Sequence, residues 1–257
     1  MTPLFSAAGE REIEALMLRS PLLAFDFDGT LAPIVTRPEY ARMPTGWSEM
    51  LAELAKLRPV AIVTGRGVAD VAARLSFTPG YIIGNHGAED PEGILPAGSI
   101  ERLEPVRRRL ARLSSHWAPL GIEVEDKHYS LAMHYRLAPD PVAAQQCIEE
   151  LLSGEEGGLH LFHGKCVMNI APDDAPDKAH AVMSLVRRAG AGAALFAGDD
   201  INDEPVFARV PADWLTLKVG RDGVPSSARY LIDSHEEVGQ LLQRLLQIAR
   251  RRPTQSS

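Results

Sequence analysis

The apolar run from Pro21 to Phe25 leads directly into the hexapeptide Asp-Phe-Asp-Gly-Thr-Leu at residues 26–31. The run predicts a buried strand, and side chains two residues apart leave a strand on the same face. Asp26 and Asp28 would therefore repel each other unless a cation or a shared proton lies between them. Paired acids at the carboxyl end of a strand are typical of the active sites of open α/β sheets.

The same hexapeptide has two alternative explanations, a calcium loop and an inert acidic turn. An EF-hand loop carries glycine at its sixth position and an acidic ligand at its twelfth. Counted from Asp26, Gly29 stands at position 4 and Arg37 at position 12, so the EF-hand pattern is excluded. An inert acidic turn stays open for the hexapeptide alone, because short motifs recur by chance.

A second acidic cluster, Gly-Asp-Asp-Ile-Asn-Asp-Glu at residues 198–204, follows the apolar run 193–197. Oxygen ligands at two strand ends suit Mg²⁺, which takes one or two carboxylates, waters and substrate phosphate oxygens. Between the clusters, the apolar run 59–63 leads into Thr64, and a helix starting near Val68 would turn its N-terminal dipole toward a phosphate. Lys178 adds a positive charge ahead of the last cluster.

Short apolar strands alternate with helical patterns over residues 1–90 and 173–257. This alternation predicts an α/β fold with a doubly wound parallel sheet. The predicted strands span residues 22–27, 60–64, 81–84, 193–197, 214–219 and 229–232. The predicted helices include residues 46–56, 177–189 and 236–248, and the N-terminal residues 1–19 read as a short helix leading into the first strand.

Residues 91–172 show a different pattern, helix-strand-strand repeated twice. Predicted helices over residues 99–117 and 140–152 precede predicted strand pairs at 122–126 and 130–137, and at 159–162 and 165–171. Strands so close in sequence form hairpins, so we expect an inserted small α+β cap module with an antiparallel sheet. Such an insertion would cover the active site, exclude water and add substrate contacts.

The composition excludes several classes of protein. Of the 257 residues, 45% are hydrophobic and 24% are charged, as in ordinary globular domains. The net charge of −7 argues against a nucleic-acid partner. No apolar run reaches the roughly 18 residues of a membrane span, so we expect no membrane partner. Because only two cysteines occur, a reducing compartment fits, and we expect a cytoplasmic monomer.

The ordered motifs resemble those of the haloacid dehalogenase (HAD)-type phosphotransferases. The motifs are Asp26-x-Asp28-Gly29-Thr30, Thr64-Gly65-Arg66, Lys178 and Gly198-Asp199-Asp200-x-x-Asp203. Within that group the chain is similar to the trehalose-6-phosphate phosphatases, through residues 84–89, 125–127, 134–136 and 164–167. The resemblance covers about residues 22–233, and it implies a HAD-like core with a cap, a sugar-phosphate substrate and Mg²⁺.

The resemblance also implies a role for each motif residue. Asp26 would be the nucleophile and Asp28 the general acid and base, an order that spacing alone does not give. Thr64 and Lys178 would complete the catalytic set by binding phosphate oxygens. The implied metal site comprises Asp26, Asp28 through its carbonyl, Asp199, Asp200 and Asp203, the last two holding waters or orienting Lys178.

The candidate substrate-binding residues include a group on the predicted cap strands. The full set is Arg66, His86, Glu125, Lys127, His134, Arg136, Lys165 and Asn169. Each has a plainer alternative: a structural salt bridge for Arg66, a structural histidine for His86, and ordinary exposed strand residues in the cap.

The chain departs from the trehalose enzymes at four positions. Asn169 stands where they usually have Glu, Ala171 where they have Lys or Arg, Ala179 where they have Gly, and Asn202 where they have Thr. The change at Asn169 bears on the sugar and not on phosphate transfer. We therefore expect a trehalose 6-phosphate phosphatase, with three alternatives: a phosphatase of sucrose phosphate or a glycosyl-glycerol phosphate, a sugar phosphomutase, and a non-catalytic sensor.

Overall fold

The computed structural model describes residues 1–153 and 157–251. Its strands, numbered β1 to β11, are Thr2–Pro3, Leu22–Phe25, Val60–Val63, Tyr81–Ile83, Glu123–Asp126, Leu131–His134, Leu159–Gly164, Val167–Pro172, Ala194–Gly198, Leu215–Val219 and Tyr230–Ile232. Its α-helices, numbered α1 to α9, are Ala7–Met17, Thr45–Leu57, Val68–Ala72, Glu104–Arg112, Ser114–Trp117, Pro141–Leu152, Lys178–Arg188, Glu204–Arg209 and His235–Arg250.

Side-chain caps fix where several helices begin. Asp177 accepts a hydrogen bond from the amide of His180 and starts α7, and Asp140 accepts from two amides and starts α6. Such caps satisfy amides that have no partner inside the helix. Among the described residues, no helix combines the length and apolar character needed to cross a lipid bilayer.

The chain divides into two compact units. The first comprises Met1–Pro91 together with Asp177–Ser257, and the second comprises Glu92–Pro176. The first unit holds a seven-stranded sheet in the order β1-β11-β10-β9-β2-β3-β4, with every pair parallel. All residues of β2, β3, β9 and β10 are buried, as expected for parallel strands covered on both faces. The predicted doubly wound fold is thus confirmed.

The second unit holds an antiparallel sheet in the order β5-β6-β8-β7. One face of this sheet, with Leu131, Met133 and Ile170, packs in an apolar cluster with Leu110 of α4 and Ile148 of α6. Because strand side chains alternate in direction, the residues between these positions belong to the opposite face. We call this opposite face, which carries Glu123, Glu125, His134 and Asn169, the polar face of the sheet.

Two sequence expectations differ from the structure. The predicted helix over residues 99–117 is broken into a 3₁₀ turn, Ile100–Leu103, followed by α4 and α5, which are separated at Leu113. Leu113 has ψ of 12°, outside the helical range, so the hydrogen-bond ladder is interrupted there. Strand β1 was not predicted, because two residues carry no periodic pattern; it pairs with β11 at the edge of the sheet.

The core of the second unit generates a stability prediction. Ile148 on α6 is 0% exposed, whereas Val142 on the same helix is 68% exposed. Ile148→Ala removes packed methyl groups, so we expect the free energy of unfolding to fall by about 2–5 kcal/mol in urea titrations. The matched control Val142→Ala should change it by less than about 0.5 kcal/mol. Equal effects of the two substitutions would contradict the assigned core.

Candidate active site

Three polar side chains follow three neighbouring parallel strands. Asp26 follows β2, Thr64 follows β3 and Asp199 follows β9, and β2 lies between the other two strands. The strand order reverses at β2. Strands β3 and β4 lie on one side of β2, and β9, β10, β11 and β1 follow one another on its other side. Open α/β sheets bind ligands at such a switch point, outside the carboxyl ends of the strands.

Lys178, the first residue of α7, joins two of the acidic side chains. Its Nζ lies 3.0 Å from Oδ1 of Asp26 and 2.7 Å from Oδ1 of Asp203. All three side chains are buried. Charges that leave water need partners at hydrogen-bond distance, so this contact fixes Asp26 and Lys178 relative to each other.

The site carries more carboxylates than ammonium groups. Burial raises the pKa of Asp26 well above its ordinary value, Lys178 opposes the rise, and Asp203, Asp199 and Asp28 add to it. Burial alone would lower the pKa of Lys178, but Asp203 and Asp26 outweigh it, so that pKa lies well above its ordinary value. The pKa of Asp26 is thus raised mainly by burial and further by neighbouring carboxylates, whereas the pKa of Lys178 is raised by the two carboxylates that it contacts.

A hard divalent cation fits this surplus. Carboxylate oxygens of Asp26, Asp199 and Asp203 all lie within 4.8 Å of one another. Oxygen donors of this kind are what Mg²⁺ prefers. Asp203 already accepts from Lys178 through Oδ1 and from the Asp200 amide through Oδ2. The chemistry of the donors therefore favours Asp26 and Asp199 as direct ligands.

Two glycines make the cluster possible. A Cβ atom on Gly29 would lie 2.0 Å from Oδ2 of Asp199, and Gly29 has φ of +83°. A Cβ atom on Gly198 would lie 2.3 Å from Cγ of Asp203. Any larger residue at these positions would collide with the acidic side chains, so both glycines are required by close approach.

Asp28 lies outside the cluster and is paired with Arg66. The guanidinium donates through Nε to Oδ2 at 2.6 Å and through a terminal nitrogen to Oδ1 at 2.7 Å. Arg66 also donates to Asp70 at 2.8 Å and to the carbonyl of Pro38 at 2.9 Å. The structure thus gives Arg66 a two-point carboxylate partner, and its role as a substrate contact stays a prediction.

The turn after β3 brings Thr64 and His86 together through the backbone. Thr64 is buried, its Oγ1 accepts from the Arg66 amide at 3.2 Å, and its carbonyl accepts from the His86 amide at 2.9 Å. At the start of α3 the Val68 amide donates to Oε2 of Glu89 at 2.9 Å, so this amide is already satisfied by a carboxylate, and the approach of a phosphate to this helix end stays a prediction. The phosphate and substrate roles of Thr64 and His86 stay predictions.

Two polar residues with structural importance were given no role by the sequence analysis, Glu89 and Lys218. Glu89 joins the start of α3 to Asn85, whose amide group donates to it at 2.7 Å. Lys218 on β10 is buried and donates to the backbone carbonyl of Asp199 at 2.7 Å. A lysine inside the apolar run of residues 215–219 is the signal that could have revealed it. Asp200 accepts from the Ile201 amide at 2.8 Å, and its place at the metal, holding waters or orienting Lys178, stays a prediction.

The polar face of the antiparallel sheet in the second unit carries several predicted substrate residues. In the register of this sheet, Glu123 on β5 pairs with His134 on β6. Ala132 on β6 pairs with Glu125 on one neighbouring strand and with Asn169 on the other. Oε2 of Glu125 lies 2.8 Å from Nε2 of His134. Asn169 is 1% exposed, and its amide nitrogen has no hydrogen-bond partner within residues 1–153 and 157–251.

Three other predicted substrate residues lie beyond the strands, so their placement on strands is wrong. Lys127 follows β5, and its Nζ lies 3.7 Å from Oε2 of Glu125. Arg136 follows β6 and donates to the carbonyl of Lys165 at 2.8 Å, and Lys165 lies in the turn between β7 and β8. The turn closes at Cys166, whose φ of +62° is incompatible with a strand.

Comparisons with known proteins identify the family of the chain and proteins that share its fold. The sequence matches the family model described as Trehalose-phosphatase over residues 24–222. The trehalose-phosphate phosphatase of Mycobacterium avium is 33% identical over 251 residues, which cover 90% of this chain and 63% of that relative. The chain therefore spans less than two thirds of the length of this curated relative.

Two solved structures share the fold. The C-terminal domain of trehalose-6-phosphate phosphatase from C. albicans matches with a TM-score of 0.77 at 21% identity, covering 97% of this chain and 98% of that chain. A trehalose-6-phosphate phosphatase related protein matches with a TM-score of 0.72 at 24% identity, covering 90% of this chain and 100% of that chain. Because the family model spans most of the sequence, the chain belongs to the trehalose-phosphatase family.

Proposed function

We propose that this chain is a phosphoric monoester hydrolase that releases phosphate from trehalose 6-phosphate with the help of Mg²⁺. The observation that carries the proposal is the contact of Lys178 with both Asp26 and Asp203, beside Asp199, at the switch point of the parallel sheet. Membership of the trehalose-phosphatase family supports the choice of substrate. Phosphate monoesters resist hydrolysis strongly, with accelerations of up to ~10²¹ needed, so several effects must combine.

Asp26 is the proposed nucleophile. A carboxylate oxygen of Asp26 attacks phosphorus, the bond from phosphorus to the sugar oxygen breaks, and an aspartyl phosphate forms. Water then attacks phosphorus, the bond to Asp26 breaks, and the carboxylate is regenerated with release of phosphate. Lys178 and Thr64 bind the phosphoryl oxygens while charge builds on them.

Asp28 is the proposed acid and base. It donates a proton to the departing sugar oxygen and later takes a proton from the attacking water, an effect usually worth ~10²–10⁴. The two-point contact with Arg66 holds the plane of the Asp28 carboxyl group. Each carboxylate oxygen has a second lone pair, so this contact leaves directions open for proton transfer.

Asp26, Asp199 and the carbonyl of Asp28 are the proposed ligands of Mg²⁺. Bound there, Mg²⁺ supplies positive charge that keeps Asp26 ionised and offsets the charge of the phosphoryl group. Asp203 is assigned to holding Lys178, since both of its carboxylate oxygens already accept hydrogen bonds. We assign Asp200 to holding water at the edge of the site.

The polar face of the antiparallel sheet is the proposed sugar site. Glu125, His134 and Asn169 offer donors and acceptors on one face, which is what a sugar with many hydroxyl groups needs. The Asn169 amide nitrogen is a buried donor, and leaving such a group without an acceptor costs about 1–3 kcal/mol. A sugar hydroxyl oxygen is an acceptor that would remove this cost.

The direct test is phosphate release from a panel of sugar phosphates. We expect the highest kcat/KM for trehalose 6-phosphate, loss of activity on chelation and recovery with added Mg²⁺. Sucrose phosphate and a glycosyl-glycerol phosphate serve as rival substrates. A higher kcat/KM for a rival would overturn the proposed sugar, and isomerisation without net phosphate release would indicate a mutase.

The proposed nucleophile generates the second prediction. Asp26→Asn keeps the size of the side chain but removes a competent nucleophile, so we expect kcat to fall at least ~10³-fold. The melting temperature should be nearly unchanged. Asp213→Asn, the same substitution at an exposed ion pair with Arg19, is the matched control and should retain wild-type kcat. More than a tenth of wild-type kcat in Asp26→Asn would remove Asp26 from this role.

The sugar site generates the third prediction. Charged hydrogen bonds contribute ~1.5–3 kcal/mol, against ~0.5–1.5 for neutral ones, so an acid at position 169 should hold sugar hydroxyls more tightly. We expect Asn169→Glu to raise kcat/KM for trehalose 6-phosphate roughly tenfold, equivalent to about 1.4 kcal/mol. Hydrolysis of p-nitrophenyl phosphate, which has no sugar hydroxyl groups for residue 169 to bind, should change little.

The variant Asn169→Gln separates the charge of the new side chain from its length. Gln has the length of Glu without the charge, so it should leave kcat/KM for trehalose 6-phosphate near the wild-type value. If Asn169→Glu lowers this kcat/KM while a rival sugar phosphate is the better wild-type substrate, the proposed sugar is wrong. The proposed phosphatase chemistry would survive that result.

A further inference from the structure

Lys218 is a buried cation that the proposed mechanism does not use. It lies on β10, its exposed fraction is 3%, and its Nζ donates to the backbone carbonyl of Asp199 at 2.7 Å. The same nitrogen lies 3.0 Å from Oδ2 of Asp222. Moving an ammonium group out of water is costly, so its position on a central strand needs a reason.

The backbone register shows why the carbonyl of Asp199 needs this donor. The ladder between β9 and β10 pairs Lys218 with Gly198, and Asp199 is the next residue beyond β9. Backbone carbonyls in buried surroundings need a hydrogen-bond donor wherever the ladder ends. The side chain of Lys218 supplies that donor, one residue past the last pair of the register.

Asp199 is confined on its other side by the turn after β2. The Cβ atom that Gly29 lacks would lie 2.0 Å from Oδ2 of Asp199. The carboxylate is therefore set close against the Gly29 backbone while the carbonyl of the same residue is held by Lys218. The backbone carbonyl and the side-chain carboxylate of Asp199 are therefore both held in place. If the carbonyl were released, rotation of its peptide group would move the carboxylate away from Asp26.

We propose that Lys218 is a positioning residue, which holds the carboxylate of Asp199 in the direction that a divalent cation requires. This inference rests on the metal site of the proposed function. A plainer role is that Lys218 only stabilises the strand end through Asp222. The two roles make different predictions for a Lys218 variant that still folds. The positioning role predicts weaker metal binding, and the plainer role predicts unchanged metal binding.

The test is Mn²⁺ binding to the full chain without substrate, followed by electron paramagnetic resonance, with MnCl₂ as the probe. Outer groups that orient a metal ligand typically contribute about 10–100-fold to metal affinity. We therefore expect Lys218→Met to weaken Mn²⁺ binding by about 10–100-fold. The Mg²⁺ concentration for half-maximal activity should rise in parallel, while kcat at saturating Mg²⁺ recovers toward the wild-type value.

Three further variants separate positioning from stability. Thr216→Val removes the buried hydroxyl group of another β10 residue. This hydroxyl accepts a hydrogen bond from the Arg229 amide, whereas Lys218 donates to the Asp199 carbonyl. It should lower the melting temperature and leave Mn²⁺ affinity unchanged. Asp222→Asn, which keeps Lys218 but weakens its exposed partner, should also leave Mn²⁺ affinity unchanged. Lys218→Arg retains a charged donor and should restore most of the affinity.

The outcomes are distinct. Wild-type Mn²⁺ affinity in folded Lys218→Met would overturn the proposal, as would an equal loss of affinity in Thr216→Val. If Lys218→Met does not fold, Lys218→Leu, which also lacks a hydrogen-bond donor, takes its place, with the same expectation and the same overturning result. If Lys218→Met binds Mn²⁺ more weakly but the wild-type chain hydrolyses none of the sugar phosphates, the positioning role of Lys218 is upheld and the proposed function is rejected.

Discussion

The buried contact of Lys178 with Asp26 and Asp203 is the interaction on which the rest of the first unit depends. Each of these charges is costly to bury alone, and loss of Lys178 would leave Asp26 and Asp203 without the positive charge that they share. The contact is possible only if the end of β2, the start of α7 and the loop after β9 lie at matching positions. The caps and the parallel register that fix those ends are therefore part of the chemistry as well as of the fold.

Close packing of backbone against carboxylate complements that contact. Gly29 and Gly198 let two acidic side chains approach to distances that any Cβ atom would prevent. A surplus of negative charge follows from this close approach, since the carboxylates of Asp26, Asp199 and Asp203 share one region and Lys178 contacts only two of them. The site thereby favours a small hard cation over a bulky organic one, because the oxygen atoms lie too close together to admit the latter.

Prediction from sequence succeeded where local patterns decide the structure. Apolar runs ending in acids identified β2 and β9, and alternation of strands with helices identified the parallel sheet. It failed where partners are remote: the Glu89 contact with the Val68 amide and the Lys218 contact with the Asp199 carbonyl join segments that no local pattern connects. The strand placement of Arg136 failed for another reason, since the ladder of β6 stops at His134.

The order of strands in the parallel sheet has a consequence for how the chain is made. β2 is flanked on one side by β9, and β1 pairs with β11, so early segments await partners that lie far along the chain. Contacts of such high sequence separation slow folding, and unpaired strand edges invite aggregation meanwhile. A nascent chain on the ribosome thus holds Asp26 long before Asp199 has been synthesised, so the acidic cluster of Asp26, Asp199 and Asp203 cannot assemble until β9 and the loop after it have emerged.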